Sequence, residues 1–459
     1  MLNLMPDRSG IDWLPWCREA FARARLERKP ILLSLVTTWA AGCAEMDRTT
    51  YADPTTMALI AATVIPVRVD ADHRPDVADR YDLGGLPTTA FLTPAGEILG
   101  GGTFVSPERL RAAVSKAARA VERVLPAEAG VSSPAGRELD DATLTDIVFA
   151  TFDDEHGGFG SAPKFPLAAP VRLAIDIYAE NEAPAMLEFA VRTLDAMGWG
   201  PLFDETSGGF FRCASGADWS DPQPPKLLST NALLLDLYVH AGEMLRQDRW
   251  FQRAADIVRY LDAACGPRAW PAADCGDSTT RFTDVNALAA SAMLRAAAAF
   301  QDDAAGKRSL DVLEHVLLVS YKPGHGVAHS AKGARGLLSD QISMAIASLD
   351  AWESTGNIVY RMMAEELAHY ALRTMWDDER GGLFDRDPEA EPVDPLPRAG
   401  KPFVLNCDAA VLLRRLAEAT NDRMFATRAQ ETVAAMSAIA ADSGPLAAHY
   451  LLARRAVLR

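Results

Sequence analysis

One turn pattern occurs three times in this chain and constrains its fold more than any other feature. It reads aromatic residue, Asp, two polar residues, any residue, Gly-Gly and an apolar residue, and it spans residues 152–159, 203–211 and 376–384. Gly-Gly permits positive φ angles, so the pattern suits a chain that leaves a helix and turns sharply. Three copies of one turn predict an array of related structural units.

Four apolar segments that begin alike form a second repeat. They start at Asn231, Asn286, Gln341 and Asn406, so consecutive starts are 55, 55 and 65 residues apart. Residues that can cap a helix lie beside these starts, namely Thr230, Asp284 and Asp340. Each segment is apolar at helical spacing and is followed by a polar break and a second amphipathic segment. One period is therefore two helices and their loops, an αα-hairpin.

The hairpin repeat predicts the architecture of the longer part of the chain. Over residues 139–459, a spacing of about 55 residues corresponds to six hairpins. Six hairpins can close into a ring, with one helix of each pair inside and the other outside. The predicted fold is an all-α (α/α)6 toroid. The Gly-Gly turns and the loops before the repeated Asn and Gln residues are expected near the mouth of this ring.

Residues 1–125 carry a different pattern. Apolar runs of strand length cover residues 31–36, 64–69 and 88–93, and a short strand follows a turn at residues 98–100. With the helical segments between them and a closing helix at residues 107–124, they predict an α/β domain. A stretch rich in Pro, Gly, Ala and Ser predicts a linker at residues 126–138, before the toroid domain at 139–459.

Specific motifs in both parts resemble a known family. The segment Trp39-Ala-Ala-Gly-Cys43 after a buried strand, and Pro87 before the next strand, resemble the thioredoxin fold. Residues 12–16, 43–46, 69–76 and 84–87, together with 157–166 and 208–212, look like the spermatogenesis-associated family. This resemblance implies a thioredoxin-like domain fused to a toroid like those of six-hairpin glycosidases and sugar epimerases, and it marks this chain as a divergent member.

The chain departs from its relatives at the redox motif. Thioredoxins and the relatives usually carry Cys at both ends of a CxxC motif, whereas this chain has Ala40 and Cys43. The first thiol of such a site is the nucleophile and the second resolves the mixed disulfide, so a dithiol cycle is impossible here. A monothiol role for Cys43 stays open beside that of an inert, partly buried thiol. The resemblance implies structural positions beside the motif for Trp39 and for Pro87, which matches the thioredoxin cis-proline.

The toroid offers several residues for a sugar or another small polar ligand. The three turn carboxylates are Asp153, Asp204 and Asp377, of which Asp204 is the candidate for acid–base chemistry. Possible polar contacts come from Arg212, Lys226, Asn231, Asp284 and Asp340. Possible stacking faces come from Trp219, Trp270 and Trp376. The alternative for each Asp is an Asx-type turn bond or a helix cap, which the repetition of Asp with the turn favours.

A second departure lies in the toroid. The relatives carry His, Glu and Asp at positions that are Gln223, Pro225 and Thr230 here, while Lys226 and Asn231 persist. The missing three residues are the natural acid–base set of that segment. Their loss argues against catalysis there.

Composition excludes some classes of partner. A net charge of −16 argues against nucleic acid and anionic membranes, which both favour basic surfaces. No apolar run approaches the ~18 residues of a membrane span, and the first residues lack the features of a signal peptide, so a cytoplasmic location is expected. The six cysteines show no CxxC spacing and are expected to be buried. The pair His325 and His329 lacks a clear third ligand, so neither a metal nor a cofactor is predicted.

Three functional hypotheses follow. The first is a non-catalytic binding or interaction protein that keeps both folds without their active residues. The second is a carbohydrate-active enzyme of epimerase or hydrolase type that uses the toroid mouth. The third is a monothiol redox factor acting through Cys43. The losses at Ala40, Gln223, Pro225 and Thr230 favour the first hypothesis.

The degenerate motif makes a direct prediction. The protein is expected not to reduce insulin disulfides in the presence of a thiol donor, because position 40 carries no nucleophilic thiol. Insulin precipitation measures the rate, with a thioredoxin as the positive control. Turnover near that of the thioredoxin would contradict the prediction, unless a Cys43→Ala variant kept the same rate.

Overall fold

The structure is a computed structural model, and it describes residues 10–124, 139–266, 268–277, 279–390, 395–396 and 400–458. The predicted linker at 126–138 and the first nine residues lie outside the described residues. The chain divides into two compact units. The first comprises Met1–Pro134, Gly333–Arg335 and Asp385–Gly400, and the second comprises Ala135–Lys332, Gly336–Phe384 and Lys401–Arg459. The sequence did not predict that two segments from late in the chain belong to the first unit.

The first unit is built on a four-stranded sheet with the order β2-β1-β3-β4. Its strands are β1 Ile31–Val36, β2 Ile65–Asp70, β3 Thr88–Leu92 and β4 Ile98–Gly102. Its helices are α1 Arg18–Glu27, α2 Ala41–Arg48, α3 Pro54–Thr63, α4 Pro75–Tyr81 and α5 Pro107–Val124. Strand β1 pairs in parallel with β2 and antiparallel with β3, which pairs antiparallel with β4. This arrangement confirms the predicted thioredoxin-like α/β fold.

The central strand β1 is buried along its whole length, as its continuous apolar run predicts. Because side chains alternate along a strand, Ile31, Leu33 and Leu35 join one apolar cluster and Leu32 joins another. Leu396 packs into the first of these clusters. An ion pair of 2.5 Å between Arg80 Nη2 and Asp385 Oδ2 holds the same late segment in the first unit.

The second unit contains twelve α-helices among the described residues. The inner helices are α7 Ala168–Asn181, α9 Leu228–Leu245, α11 Thr283–Phe300, α13 Leu338–Thr355, α15 Phe403–Thr420 and α17 Ala447–Leu458. The outer helices are α6 Asp141–Phe149, α8 Pro184–Gly198, α10 Asp248–Ala264, α12 Asp303–Ser320, α14 Ile358–Thr374 and α16 Arg423–Ala440. Each inner helix packs on the next, and α17 packs back on α7, so the ring closes. The predicted (α/α)6 toroid is confirmed.

A buried amide near the start of four inner helices ties each helix to the turn before it. Asn231 Oδ1 accepts the backbone N–H of Phe210 at 2.7 Å, and Asn231 Nδ2 donates to the Phe210 carbonyl at 3.0 Å. The equivalent pairs are Asn286 with Trp270, Gln341 with Val327, and Asn406 with Leu383. We call this contact the amide clamp. It accounts for the repeated Asn and Gln residues in the sequence.

The amide clamp also corrects the expected helix starts. Each clamp residue is the fourth residue of its helix, so Thr230, Asp284 and Asp340 lie inside the first turn and do not cap it. Apolar residues or Pro occupy the N-cap positions and make no side-chain cap bond; they are Leu227, Phe282, Leu337 and Pro402. Loop carbonyls take over part of the capping role, as when the N–H of Leu228 donates to Ala272 at 2.9 Å.

The amide clamp predicts a large stability loss on truncation. Asn286→Ala is expected to lower the free energy of unfolding by roughly 2–5 kcal/mol, because it leaves the buried N–H and carbonyl of Trp270 unpaired. Asn357→Ala is the matched control: this exposed residue caps α14 with a single bond to Val359, and its loss should cost about 1 kcal/mol. Urea unfolding measures both. Equal losses would show that the amide clamp is not a major source of stability.

Candidate functional site

In each Gly-Gly turn, the aspartate forms an ion pair with a lysine that follows the turn in the sequence. The Asp–Lys pairs are Asp153–Lys164, Asp204–Lys226 and Asp377–Lys401, with Oδ2–Nζ distances of 2.5, 2.7 and 2.5 Å. In every copy Oδ1 accepts two backbone N–H groups of the turn, as an Asx turn does. Each lysine also donates to the carbonyl of the first Gly, at 2.6–2.8 Å. The Asp residues therefore serve the turn.

These ion pairs make the turn carboxylates poor acids. Burial by itself raises the pKa of Asp204, but hydrogen bonds from Lys226 and Ser207 outweigh it and hold the pKa well below the ordinary value. A carboxylate that stays ionised cannot donate a proton as a general acid. The contacts of Asp204 are those of a structural residue. Asp153 and Asp377 form the same ion pair with lysine and the same hydrogen bonds to the turn.

Most of the other residues predicted to bind a ligand at the mouth of the ring do not lie together in the structure. Trp219 is 1% exposed and donates its Nε1–H to the His156 carbonyl, so its ring packs in the core and offers no stacking face. Trp270 is likewise buried, and Arg428 covers the ring of Trp376 at 4.4 Å. Asn231 is a clamp residue, and the guanidinium of Arg212 lies 5.6 Å from the ring centre of Phe165.

The thioredoxin motif holds a buried thiol. Cys43 is 2% exposed and packs against Val36 and Ala40, and burial raises the pKa of its thiol to about 11. A thiol with this pKa is protonated at neutral pH and is a weak nucleophile. This environment supports the inert alternative over the monothiol one. Among the other cysteines, Cys213 and Cys407 are also buried, but Cys275 is exposed, contrary to expectation.

Trp39 and Pro87, which were expected to be structural residues beside the thioredoxin motif, both contact other residues of the first unit. Trp39 Nε1 donates to Asp72 Oδ2 at 2.8 Å. The Leu86–Pro87 peptide bond is cis, and a Cβ atom at Gly42 would lie only 2.9 Å from Pro87 Cδ. Pro87 therefore packs against the residue that precedes Cys43.

A network of charged residues that was not predicted from the sequence links three neighbouring inner helices. Asp236 on α9 accepts from Arg172 Nη1 of α7 at 2.5 Å and from Arg295 Nη1 of α11 at 2.7 Å. Arg295 Nη2 also donates to Glu243 at 2.7 Å and lies 3.2 Å from His240 Nδ1. Partial burial opposes ionisation of Asp236, yet the two flanking arginines outweigh it and lower the pKa of this carboxyl.

A second network continues around the ring. Asp350 on α13 accepts from Arg415 Nη2 of α15 at 2.6 Å and from the hydroxyl of Ser291 on α11. Arg415 also pairs with Glu353 at 2.8 Å. We call these two networks together the ring lining.

The ring lining faces the inside of the toroid. Asp236 lies in the middle of its helix and reaches both neighbouring inner helices, while the outer helix α10 packs against α9. The arginine and aspartate side chains of both networks are still 22–33% exposed, and solvent reaches them from the interior of the ring. A signal was present in the sequence, because Asp236, His240 and Glu243 follow helical spacing within an otherwise apolar segment.

A third cluster lies at the N-terminal ends of α11 and α13. His329 Nδ1 is 2.8 Å from Asp340 Oδ1 and 3.8 Å from Asp284 Oδ1. Burial raises the pKa of Asp340 to about 6, although the neighbouring His329 opposes the shift. Two of the predicted ligand-binding residues, Asp284 and Asp340, are thus brought together. His325, which lies four residues before His329 in the sequence, is exposed in the preceding turn and does not belong to this cluster.

Known proteins share both parts of this chain. Residues 4–129 match the family Thioredox_DsbH, described as a protein of unknown function, DUF255. Spermatogenesis-associated protein 20 of Homo sapiens is 25% identical over 305 residues, which is 56% of this chain and 38% of that protein. An uncharacterized protein of Caenorhabditis elegans is 28% identical over 286 residues, 55% of this chain and 39% of that protein. The match thus spans about two fifths of these relatives, and it confirms the resemblance to the spermatogenesis-associated family.

Solved structures share the toroid. A D-mannose isomerase has a TM-score of 0.57 at 14% identity, over 71% of this chain and 99% of that one. A sugar epimerase from a ruminal bacterium has a TM-score of 0.54 at 12% identity, over 63% and 83%. A GH76 α-mannanase of Bacteroides thetaiotaomicron has a TM-score of 0.54 at 9% identity, over 70% and 96%. At such identities the likeness establishes the six-hairpin glycosidase-like fold.

None of the helices in the described part of the chain is long and apolar enough to cross a bilayer.

The Asp–Lys turns predict a pH-dependent stability. The pKa of Asp377 is lowered because the bonds from Lys401 and the turn outweigh the effect of burial. A lowered pKa contributes stability that is complete above the ordinary value of 3.8 and is lost as the pH falls through the folded value. Asp377→Asn should therefore cost about 2 kcal/mol at neutral pH and clearly less near pH 3.

The neighbouring exposed residue provides the control for this experiment. Asp378→Asn removes the same charge one position away, outside the bonds to Lys401, and should change little at either pH. Urea unfolding of both variants at the two pH values measures the effect. A cost of Asp377→Asn that stays constant with pH would contradict the role of the ion pair.

Proposed function

We propose that the toroid binds a carbohydrate, or a similar polyhydroxylated molecule, inside the ring, and that the thioredoxin-like unit has no dithiol redox role. The ring lining is the observation that carries this proposal. It places arginine donors and aspartate acceptors from five inner helices on the partly exposed interior.

The chemistry of the ring lining suits hydroxyl groups. A sugar hydroxyl both donates and accepts hydrogen bonds, so it can bridge a carboxylate such as Asp236 and a guanidinium such as Arg295. Each of these groups is already held by ion pairs to its neighbours. Fixed polar groups lose little conformational entropy when a ligand binds, which favours affinity and orientation.

The solved structures that share the toroid fold support a carbohydrate as the class of ligand. The D-mannose isomerase, the sugar epimerase and the mannanase that share the toroid fold are all named for carbohydrates. We take from them the class of ligand and not the reaction. A fold by itself does not establish a function, so the proposal rests on the ring lining.

Binding is better supported than turnover at the positions predicted for catalysis. Asp204 is committed to Lys226, and its pKa is lowered. Both ring nitrogens of His240 lie within hydrogen-bond distance of side chains, at 2.6 Å from Asp176 and 3.2 Å from Arg295. Gln223 and Pro225 have no acid–base chemistry. The enzyme alternative becomes a measurable outcome: conversion of a bound sugar into a product would favour it.

The test compares two arginines. Arg295→Met removes a donor of the ring lining, and Arg308→Met is the matched control on outer helices, where the arginine pairs with Asp262 at 2.9 Å through two nitrogens. Mannose, cellobiose and mannobiose are titrated by calorimetry into the wild type and both variants, with chromatography of the ligand afterwards. Affinity is expected to fall about tenfold or more in Arg295→Met, because a charged hydrogen bond is lost, and to stay unchanged in Arg308→Met.

Two results would overturn this proposal. The first is a wild-type protein that binds none of these sugars, which would favour the interaction-protein alternative. The second is a sugar affinity that Arg295→Met leaves unchanged, which would place the ligand away from the ring lining.

A further inference from the structure

We propose that Asp284, His329 and Asp340 form a binding site for a divalent transition-metal ion, with zinc as the best fit. The three residues meet at the N-terminal ends of the inner helices α11 and α13. One ligand atom from each residue lies within 4.8 Å of the other two. The site is separate from the ring lining and does not depend on the carbohydrate proposal.

The spacing of the ligand atoms is close to that of a tetrahedral metal. With zinc–ligand bonds of about 2.0–2.2 Å, neighbouring ligand atoms in a tetrahedral site are about 3.3–3.6 Å apart. His329 Nδ1 lies 2.8 Å from Asp340 Oδ1 and 3.8 Å from Asp284 Oδ1. These two distances bracket the required value, so the three residues already lie near the spacing that a tetrahedral metal ion requires.

An unpartnered carboxylate oxygen points independently to a cation. Asp340 is 0% exposed, and its Oδ2 accepts no hydrogen bond from the residues that the structure describes. A buried polar atom without a partner costs free energy, and buried carboxylates are normally paired or bound to a metal. A metal ion at this position would satisfy the carboxylate.

The surrounding structure holds the ligands in place. Thr283 donates its N–H to the His329 carbonyl at 2.8 Å and its hydroxyl to the Ala328 carbonyl at 2.6 Å, which fixes the loop on α11. The imidazole of His329 stacks on Phe282 with ring centres 4.8 Å apart. Asp284 and Asp340 each lie within the first turn of a long helix. Such rigid support is what a metal site requires of its scaffold.

The repeat architecture does not require these carboxylates. Asp340 directly precedes its clamp residue, and the equivalent positions in the other three clamped helices are Thr230, Val285 and Leu405. Asp284 lies two residues before its clamp residue, where the other helices have Ser229, Ser339 and Val404. The ring therefore closes without acidic residues at these positions, and the two carboxylates need another reason.

The donor set narrows the choice of metal. One imidazole and two carboxylates suit zinc and neighbouring transition metals better than Mg²⁺ or Ca²⁺, which prefer oxygen ligands alone. Three protein ligands leave a fourth position for water or substrate, as in catalytic zinc sites. The Asp284 side chain, 17% exposed, provides the approach from solvent.

Metal binding is tested on the whole protein after removal of bound metal with EDTA. Calorimetric titration with ZnCl₂ is expected to show one zinc per chain and a raised melting temperature, and Co²⁺ should give the visible absorption of a tetrahedral complex. Asp284→Asn and Asp340→Asn should each weaken binding by about 100-fold, at the upper end of the loss seen when a supporting residue is removed.

A second Asp–His pair provides the control. Asp408 lies 3.9 Å from His449 Nδ1 on the inner helices α15 and α17, so Asp408→Asn removes a comparable carboxylate and should bind zinc like the wild type. Circular dichroism checks that each variant is folded, and the partly exposed Asp284 keeps the test valid if Asp340→Asn unfolds. A wild type that binds no zinc, or an affinity unchanged in Asp284→Asn, would overturn the proposal.

Discussion

The amide clamp is the contact that fixes four of the six hairpins of the toroid. A hairpin of two helices cannot bury its apolar faces alone, so the ring needs every turn in one register before neighbouring helices can pack. At four positions a buried amide pairs with both the N–H and the carbonyl of one turn residue, as Asn231 does with Phe210. In the first hairpin, Val171 occupies the fourth position of the inner helix and cannot form this contact; the N–H of Gly158 in that turn donates to the hydroxyl of Thr193 on the outer helix α8.

Because the aspartates of the Gly-Gly turns already form ion pairs and hydrogen bonds within the fold, they are poorly placed to bind or react with a ligand. The aspartate of each Gly-Gly turn is committed to a lysine and to backbone N–H groups, so the most repetitive polar residues of the chain are structural. Polar residues that the repeat does not need lie elsewhere, in the ring lining and in the Asp284–His329–Asp340 cluster. In the first unit, Cys43 is likewise a packing residue, although it lies in the thioredoxin-like motif.

The fold was largely predictable from the sequence, and the candidate sites were only partly so. The strand at 31–36 and the helix at 107–124 match their predicted bounds, because a long apolar run or a long amphipathic pattern reflects local geometry. The ring lining was missed because its partners are distant in sequence: Arg172 and Arg295 lie 64 and 59 residues from Asp236. Asp284 and Asp340 are recognisable in the sequence as polar residues near helix starts, but their shared contact with His329 forms only in the folded ring.

The sequence by itself determined the repeat length, the turn chemistry, the two kinds of fold and the absence of a second thiol beside Cys43. These properties depend on residue type and on spacing along the chain. Only the tertiary structure decided which polar residues are consumed by the fold and which remain exposed on the inside of the ring. That distinction depends on closure of the ring, which brings a carboxylate on one helix within 2.5–2.7 Å of arginines on both neighbouring helices. No local pattern encodes that proximity, because it arises only when all six hairpins have packed.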